Sequence, residues 1–409
     1  MLEILNKVRF VITKNLKINA SKVAAHADRF AKTLQIRNDC LFPKNKEDLF
    51  YQDKRLISVK KYLEKGKIQK RTIFSAGNII IKKQKYVYDE IFSCALENVH
   101  IVAKSNLIYT KDLILHNKNH KKRFFISELE NSDALLTRKH DNILIQKPLK
   151  FESIDEASFA CHPLGSNYCH FLLEVLSKVF LYELQNNKNI PIILDQPAIP
   201  SISDALEKIL SKDRKVIWLQ PNECVSVKKL HFISDACYMP WHYKAGAKVI
   251  TKFHPVVFKK IRDKFLFPKT IRKKSKIFIR RTSKSRSLIN ENEIFSVLKG
   301  KGFFSVEPGF LNFESQLKAF QASSEIVAAT GSEIANCIFS RPKTKVFVLW
   351  GDHKDLVYNL WQNLLIPMGL KVFNIKGFSF KKNELGYHSH FFVNANAVNN
   401  AIKKNKQKN

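Results

Sequence analysis

The chain has 409 residues, is 45% hydrophobic, and sets 70 Lys and Arg against 36 Asp and Glu for a formal charge of +34. Such a length accommodates two to three domains with substantial cores. No run reaches the roughly 18 apolar residues of a membrane span, MLEILNKVRFVITKNLK is too mixed in charge for a secretory signal, and seven cysteines without tight spacing make no disulfide framework, so a cytoplasmic protein is expected.

Excess positive charge attracts polyanions: nucleic acid, anionic lipid head groups or phosphorylated substrates. It fits a general compositional bias equally well, because Lys is spread along the whole chain. The densest stretch is Thr251 to Asn290, with fourteen Lys or Arg and one acid, Asp263.

In chain order, Leu2 to Lys17 places Ile4, Leu5, Val8, Val11 and Ile12 on one face of a basic helix. That face suits an anionic membrane surface or packing on the protein itself. Residues 1–70 read as a basic, partly helical extension. Residues 71–150 hold short β-rich runs such as NIIIKK and HIVAKS between polar punctuation, so an irregular antiparallel segment is expected.

After Phe151 helices and strands alternate. A helix is expected from His170 to Gln185 and a strand from Ile190 to Leu194. A second helix follows, with Ser201 as its N-cap, then strands at Lys215–Leu219 and Val225–Ile233 and a helix from Pro255. The basic link FPKTIRKKS separates this unit, 71–266, from a second one, 267–375. There, strands at Lys276–Arg280, Phe303–Glu307, Glu325–Ala329 and Lys345–Trp350 alternate with helices. Those helices are opened by Asn290, in capping-box register with Glu293, by Asn312 and by Ser332. Residues 376–409 form a return segment and basic tail. The pattern predicts parallel α/β sheets in two Rossmann-like lobes, with ligands at the carboxyl ends of strands.

Three clusters could carry chemistry. In IFIRRTSKSRSLINENE, Arg280, Arg281 and Arg286 follow a strand end, where guanidinium forks match a diphosphate or simply make a solvated basic loop. In SEIVAATGSEIANCIF, Gly331 and Ser332 sit in a tight strand-to-helix turn whose bare N–H groups could meet an anion, with Asn336 one turn on. Glu333 in that first turn would repel a diphosphate, unless it serves a ribose hydroxyl. In HPLGSNYCHFLLEVLSK, His170 and Glu174 share a helix face at i, i+4. A histidine there suits a general base or a satisfied local hydrogen bond. Cys161, His162, Cys169 and His170 fit no standard zinc spacing, and His388 and His390 would share a strand face without a third ligand.

Taken in order, these motifs resemble glycosyltransferase family 61, over about Cys161 to Trp350. NYCHFLLEVL, with Asn167, His170, Phe171 and Glu174, looks like the family's Asn-x-x-His-aromatic-Leu helix. The arginine stretch resembles its Arg-Arg strand end followed by Arg-x-x-x-Asn-Glu, at Arg280, Arg281, Arg286, Asn290 and Glu291. FLNFESQLKAFQASSEIVAATGSEIANCIF resembles the stretch with Phe313, Gln316, Phe320, Ala322, Gly331 and Asn336. Two departures are Thr330-Gly331 for a frequent His-Gly, and Leu176-Ser177-Lys178 for Leu-Pro-Arg.

The resemblance implies a GT-B fold with two lobes facing a cleft, inversion at the anomeric carbon and a nucleotide-sugar donor, expected to be a UDP-sugar. It implies no cofactor and no metal. His170 would be the base, with Glu174 its orienter or substitute. Arg280, Arg281, Arg286, Gly331, Ser332, Glu333 and Asn336 would bind the donor, and Asn167 would lie on the acceptor side. The expected setting is bacterial capsule or lipopolysaccharide synthesis, with a saccharide or lipid-linked acceptor, on the inner membrane's cytoplasmic face. The rival readings are a catalytically inactive scaffold and a basic nucleic-acid-binding protein, although no nucleic-acid module accompanies the basic stretch.

Overall fold

The computed structural model describes residues 151–185, 189–221, 223–239, 251–267, 274–281, 286–353, 356, 358–380 and 388–404, together with the strand segments 31–35, 41–42, 56–63, 66–75, 78–88, 91–109, 114–117, 135–139 and 142–146. The amphipathic stretch 2–17 and most of the link after Phe267 lie outside the described residues.

Two sheets organise the chain. The first has nine strands: β1 (Leu41–Phe42), β2 (Leu56–Leu63), β3 (Ile91–Val102), β4 (Ile108–Tyr109), β5 (Ile114–Asn117), β6 (Phe151–Phe159), β7 (Ile192–Asp195), β8 (Val216–Leu219) and β9 (Cys224–Ile233). Their order is β8-β7-β6-β9-β3-β4-β5-β1, with β2 also on β3. The stretch β8-β7-β6-β9 is parallel, and antiparallel pairing starts where β9 meets β3. A separate antiparallel hairpin, Gly66–Ser75 with Asn78–Tyr88, runs through residue 70, where the sequence suggested a boundary.

Between β6 and β7 runs α1, made of Tyr168–His170, a π turn Phe171–Val175 and Leu176–Leu184. Helix α2 is Pro200–Ile209 and α3 is Pro255–Lys264. Ser201 is not the cap expected: Ile199 is the extended N-cap, and Pro200 occupies the first turn, where a missing N–H costs nothing.

The second sheet is wholly parallel and five-stranded: β10 (Ser275–Ile279), β11 (Phe303–Val306), β12 (Ser323–Ala329), β13 (Lys345–Trp350) and β14 (Lys371–Lys376). Its order, β11-β10-β12-β13-β14, reverses between β10 and β12. At such a switch point the carboxyl ends of neighbouring strands open a crevice. Helices α4 (Glu291–Lys299), α5 (Phe313–Ala322), α6 (Leu360–Leu365) and α7 (Ala395–Lys404), with a 3-10 helix at Ser332–Phe339, accompany these strands.

Both faces of this sheet are covered, which is why its strands read as apolar runs. Phe278, Val327 and Phe347 pack with Ile294 and Leu298 of α4 and Val398 and Ile402 of α7. Ile277, Ile326 and Val346, on the alternate positions, pack with Phe313, Phe320 and Ile338. That second core is continuous with Leu172 and Val179 of α1 and Val257 and Phe258 of α3, so the helices of the two sheets share one apolar interior.

The segment 388–393 runs beside the loop 286–290. Arg286 N–H donates to His388 O, Phe391 N–H to Ser287 O, and Ile289 N–H to Phe391 O. Asn290 caps no backbone N–H of α4 with its side chain, contrary to the capping-box expectation. Its amide instead donates to Val393 O and Glu293 Oε2, and its carbonyl accepts from Val393 N–H. Asn312 does cap as expected, accepting from Ser315 N–H at 2.8 Å.

Gly377 makes this strap possible, because a Cβ there would meet the carbonyl oxygen of Phe392 at 1.9 Å. Gly377→Ala is expected to cost at least the ~1–3 kcal/mol of an overpacked site. Urea unfolding monitored by tryptophan fluorescence checks this, and an unchanged midpoint would refute the close approach.

Candidate active site

The strand-to-helix crossover after β6 builds the first half of the site. Asn167 is the N-cap of α1, its Oδ1 accepting from Cys169 N–H at 3.0 Å and His170 N–H at 3.4 Å. His170 is thereby set at the start of the helix, and the π turn that follows carries Glu174. Such turns concentrate at functional positions. Here Ser177 Oγ, in the next turn, donates back to Leu173 O at 2.6 Å.

Glu174 is buried and hydrogen-bonded on both oxygens. Oε2 lies 2.6 Å from His170 Nδ1 and 3.5 Å from His162 Nε2, and Oε1 accepts from Met239 N–H at 2.9 Å. Burial alone would raise its pKa, but His162, the His170 hydrogen bond and the Met239 N–H outweigh that and hold it below the usual carboxylate value. Burial pushes the His162 pKa down, against the pull of Glu174. Leu164 N–H donates to His162 Nδ1 at 3.2 Å, so the ring proton of neutral His162 sits on Nε2, facing Glu174. His170 Nδ1–H donates to the same carboxylate oxygen, which makes its Nε2 the basic nitrogen.

One oxygen and two ring nitrogens of this trio lie within 4.8 Å of one another, a spacing that could surround a cation. The backbone bond to His162 Nδ1 argues for a hydrogen-bonded relay instead, because the Nε2 that would be a ligand carries the proton. Sequence reasoning weighed His162 only as a zinc ligand and missed this partnership. The available signal was its place eight residues before His170, across a glycine loop. Asp195, at the end of β7, fixes His162 from behind by accepting its N–H at 2.9 Å.

The second half sits at the switch point of the parallel sheet. Arg281 leaves β10 and donates from Nη1 to Thr330 O, at the end of β12. Its guanidinium covers Gly331, where an added Cβ would lie 2.6 Å from both Arg281 Nη1 and Glu333 Oε2. The glycine is therefore not needed for a sharp turn, as the sequence suggested. Its φ of 176° is extended backbone, and what excludes a side chain is the arginine lying on it.

Arg286 is largely buried beside Arg281, and burial together with that neighbouring charge pushes its pKa down to about 10. Burial lowers Arg281 as well, against the attraction of Glu333. Arg281 Nε, Arg286 Nε and Glu333 Oε2 are all buried without a hydrogen-bond partner. Two desolvated guanidinium N–H groups and one carboxylate oxygen without partners among the described residues are polar groups that a ligand could satisfy. Arg286 and Glu333 also act electrostatically on the buried Cys169 thiol, next to His170, so the two halves adjoin.

Two expected donor ligands lie elsewhere. Arg280 points to the opposite face of β10, bonding Asn292 Oδ1 at 3.0 Å and Glu291 Oε2 at 3.3 Å and stacking over Phe295 at 5.0 Å. Asn336 has no exposed surface. It accepts from Tyr168 OH at 2.8 Å and donates to Gln316 Oε1 at 2.8 Å, tying α1 to α5. Ser332 Oγ bonds Asn167 Oδ1 at 3.3 Å, the rim of the same junction. Thr330 Oγ1 accepts from the indole N–H of Trp361.

The site thus sets a helix-borne His–Glu pair beside two largely buried arginines at a strand switch point. Comparison with known proteins points to a class: residues 168–347, from the first residue of α1 into β13, match the model of a family described as Glycosyltransferase 61. No curated protein matches the chain.

Two sets of measurements check this geometry. Asn336→Ala strands the Tyr168 hydroxyl and the Gln316 carbonyl and is expected to cost ~1–3 kcal/mol. Arg286→Met removes a desolvated charge and is expected to leave the melting temperature equal or higher. Equal melting temperatures for Asn336→Ala and wild type, or a marked fall for Arg286→Met, would contradict these roles.

Stability also depends on pH through His162 and Glu174. Because the folded pKa of His162 is lowered, stability falls as pH drops below the unfolded value of about 6.5. The share due to Glu174 is present above about pH 4.3 and is lost as pH falls through its lowered folded pKa. Melting temperatures from pH 7.5 downward should decline in that order, with the upper part smaller in His162→Asn.

Proposed function

We propose that this protein is an inverting glycosyltransferase that uses a nucleotide-sugar donor. His170 Nε2 takes the proton of an acceptor hydroxyl as that oxygen attacks the anomeric carbon. The bond from that carbon to the diphosphate oxygen breaks, and the nucleoside diphosphate departs with the electron pair. Glu174 holds the imidazole and stabilises the imidazolium that forms. Arg281 and Arg286 take up the charge on the leaving diphosphate, supplying electrostatics for which other enzymes use a metal. In this reading the protein is metal-independent and of GT-B type, with the donor in the second α/β unit and the acceptor against α1. Acceptor oxygen and anomeric carbon then meet between relay and arginines.

The observation that supports this reading is the relay's position beside two buried, unpartnered guanidinium N–H groups. The donor is expected to be a UDP-sugar, and the acceptor a saccharide or lipid-linked saccharide of a bacterial surface polysaccharide. The positive charge suits both a phosphate-bearing acceptor and an anionic membrane face. No helix among the described residues is long and apolar enough to cross a membrane, so attachment would be peripheral.

Thermal unfolding with UDP, GDP, CMP and ADP tests the proposal. A nucleotide at about a hundred times its Kd stabilises by ~2.7 kcal/mol. One of the four should shift the wild type and His170→Ala but not Arg281→Ala. With the matching donor and acceptor, His170→Ala should lose about 10²–10⁴-fold in rate, the usual share of a general base. If no nucleotide shifts the wild type, or if all shift it and Arg281→Ala alike, the transferase reading fails.

A further inference from the structure

Beyond β14 the chain adds a small patch of extended segments beside the loop of Arg286. Phe378–Ser379 pairs antiparallel with Phe391–Phe392, and Phe391 also bridges Leu288 in parallel. We infer that the outer face of this patch, carrying Ile289, Phe378 and Phe380, is the surface by which the protein docks on an anionic lipid bilayer. The inference rests on the lipid-linked acceptor proposed above and adds to it the surface that makes the contact.

Strand alternation divides the patch into two faces. Ser379 and Phe391 point inward together: Ser379 Oγ accepts from Asp352 N–H at 3.1 Å, and a Cβ added to Gly351 would run into both side chains. Leu288, Phe391 and Val393 are buried in the core with α4 and α7. The intervening positions face away. Phe378 is 65% exposed, Phe380 64% and Ile289 54%, while the central segment adds exposed His390 and half-buried Phe392. Hydrogen bonds fix the arrangement, with Phe380 N–H donating to His390 O, Ile289 N–H to Phe391 O and Ser287 N–H to His390 Nδ1. Single exposed apolar residues are ordinary, but three large ones on one ordered face mark a contact site.

Charge identifies what covers it. In sequence, Lys284 and Arg286 precede Ile289, and Lys376, Lys381 and Lys382 flank Phe378 and Phe380, with Glu384 the one acid from 376 to 393. Basic sequence around exposed aromatics suits an anionic head-group layer, where apolar side chains enter the acyl boundary and cations meet phosphates. A second copy is disfavoured as the cover, because two chains of formal charge +34 repel one another. The face also adjoins the proposed donor site. Arg286 holds a left-handed backbone, φ 53°, and its N–H donates to His388 O, so these segments carry the edge of the arginine pocket. Docking there presents the pocket to acceptors held in the bilayer.

Flotation of the full chain tests this, with vesicles of phosphatidylcholine alone or mixed about 7:3 with phosphatidylglycerol, in roughly 0.3 M salt to screen bulk attraction. Wild type should bind the mixed vesicles. Phe378→Ser/Phe380→Ser should bind them at least about tenfold more weakly, with an unchanged melting temperature because both side chains are exposed. Phe304→Ser/Phe310→Ser, which changes two exposed phenylalanines on and just after β11, should bind as wild type. Phe380→Trp should show a blue-shifted emission with the mixed vesicles. A wild type that does not float, a Phe378→Ser/Phe380→Ser variant that binds equally, an equal loss in Phe304→Ser/Phe310→Ser, or an unmoved Phe380→Trp emission would each overturn the docking face. A wild-type dimer that Phe378→Ser/Phe380→Ser dissolves in sedimentation would overturn it too, assigning the face to a second copy. The transferase reading is judged separately, by nucleotide stabilisation without vesicles, and survives or fails on that result alone.

Discussion

One buried hydrogen-bond chain makes the site possible. Tyr168, Asn336 and Gln316 join the first turn of α1 to the 3-10 helix and to α5, across the interior shared by the two sheets. His170 and the arginines stand on different elements, and the chemistry proposed between them would need their separation held to within a fraction of an ångström. Apolar packing alone tolerates sliding. Directional bonds that cost dearly when broken do not. Asn336 is therefore the fixed point between two halves that the chain builds more than a hundred residues apart.

Within each half the same economy recurs. Glu174 is buried yet ionised, because three donors surround it. The arginines are the converse case, with Nε–H groups that have no hydrogen-bond partner among the described residues. Polar groups satisfied along α1 and bare at the switch point are what the proposed donor site would require, since a ligand there would gain what the protein leaves unpaired.

Much of this was legible in the sequence. The strands of the second sheet are short apolar runs because both faces are covered. The Asn312 cap and the His170–Glu174 pair follow from helical spacing alone. What escaped reading depends on long-range contacts. Arg280 and Arg281 are equivalent on paper, and only strand alternation at the end of β10 sends one to α4 and the other over Gly331. Gly331 itself looked like a turn glycine, since sequence cannot reveal a side chain arriving from fifty residues away. Asn336 matched a ligand's position in a motif, while its burial depended on Tyr168 and Gln316 meeting it. His162 needed the loop through Leu164 and Asp195 to acquire a role. The early strands have partners too distant for periodicity to find.

The strap also has a consequence for how the chain is handled and how it ages. Because Arg286 keeps its backbone shape through contacts with residues 388–393, a ligand held by Arg286 as proposed would be thermodynamically linked to the strap. Such a ligand would slow fraying of the strap, and peeling the strap away would loosen it. A fragment cut at the edge of the recognisable family stretch would retain every motif and still lack the segment that shapes its anion pocket.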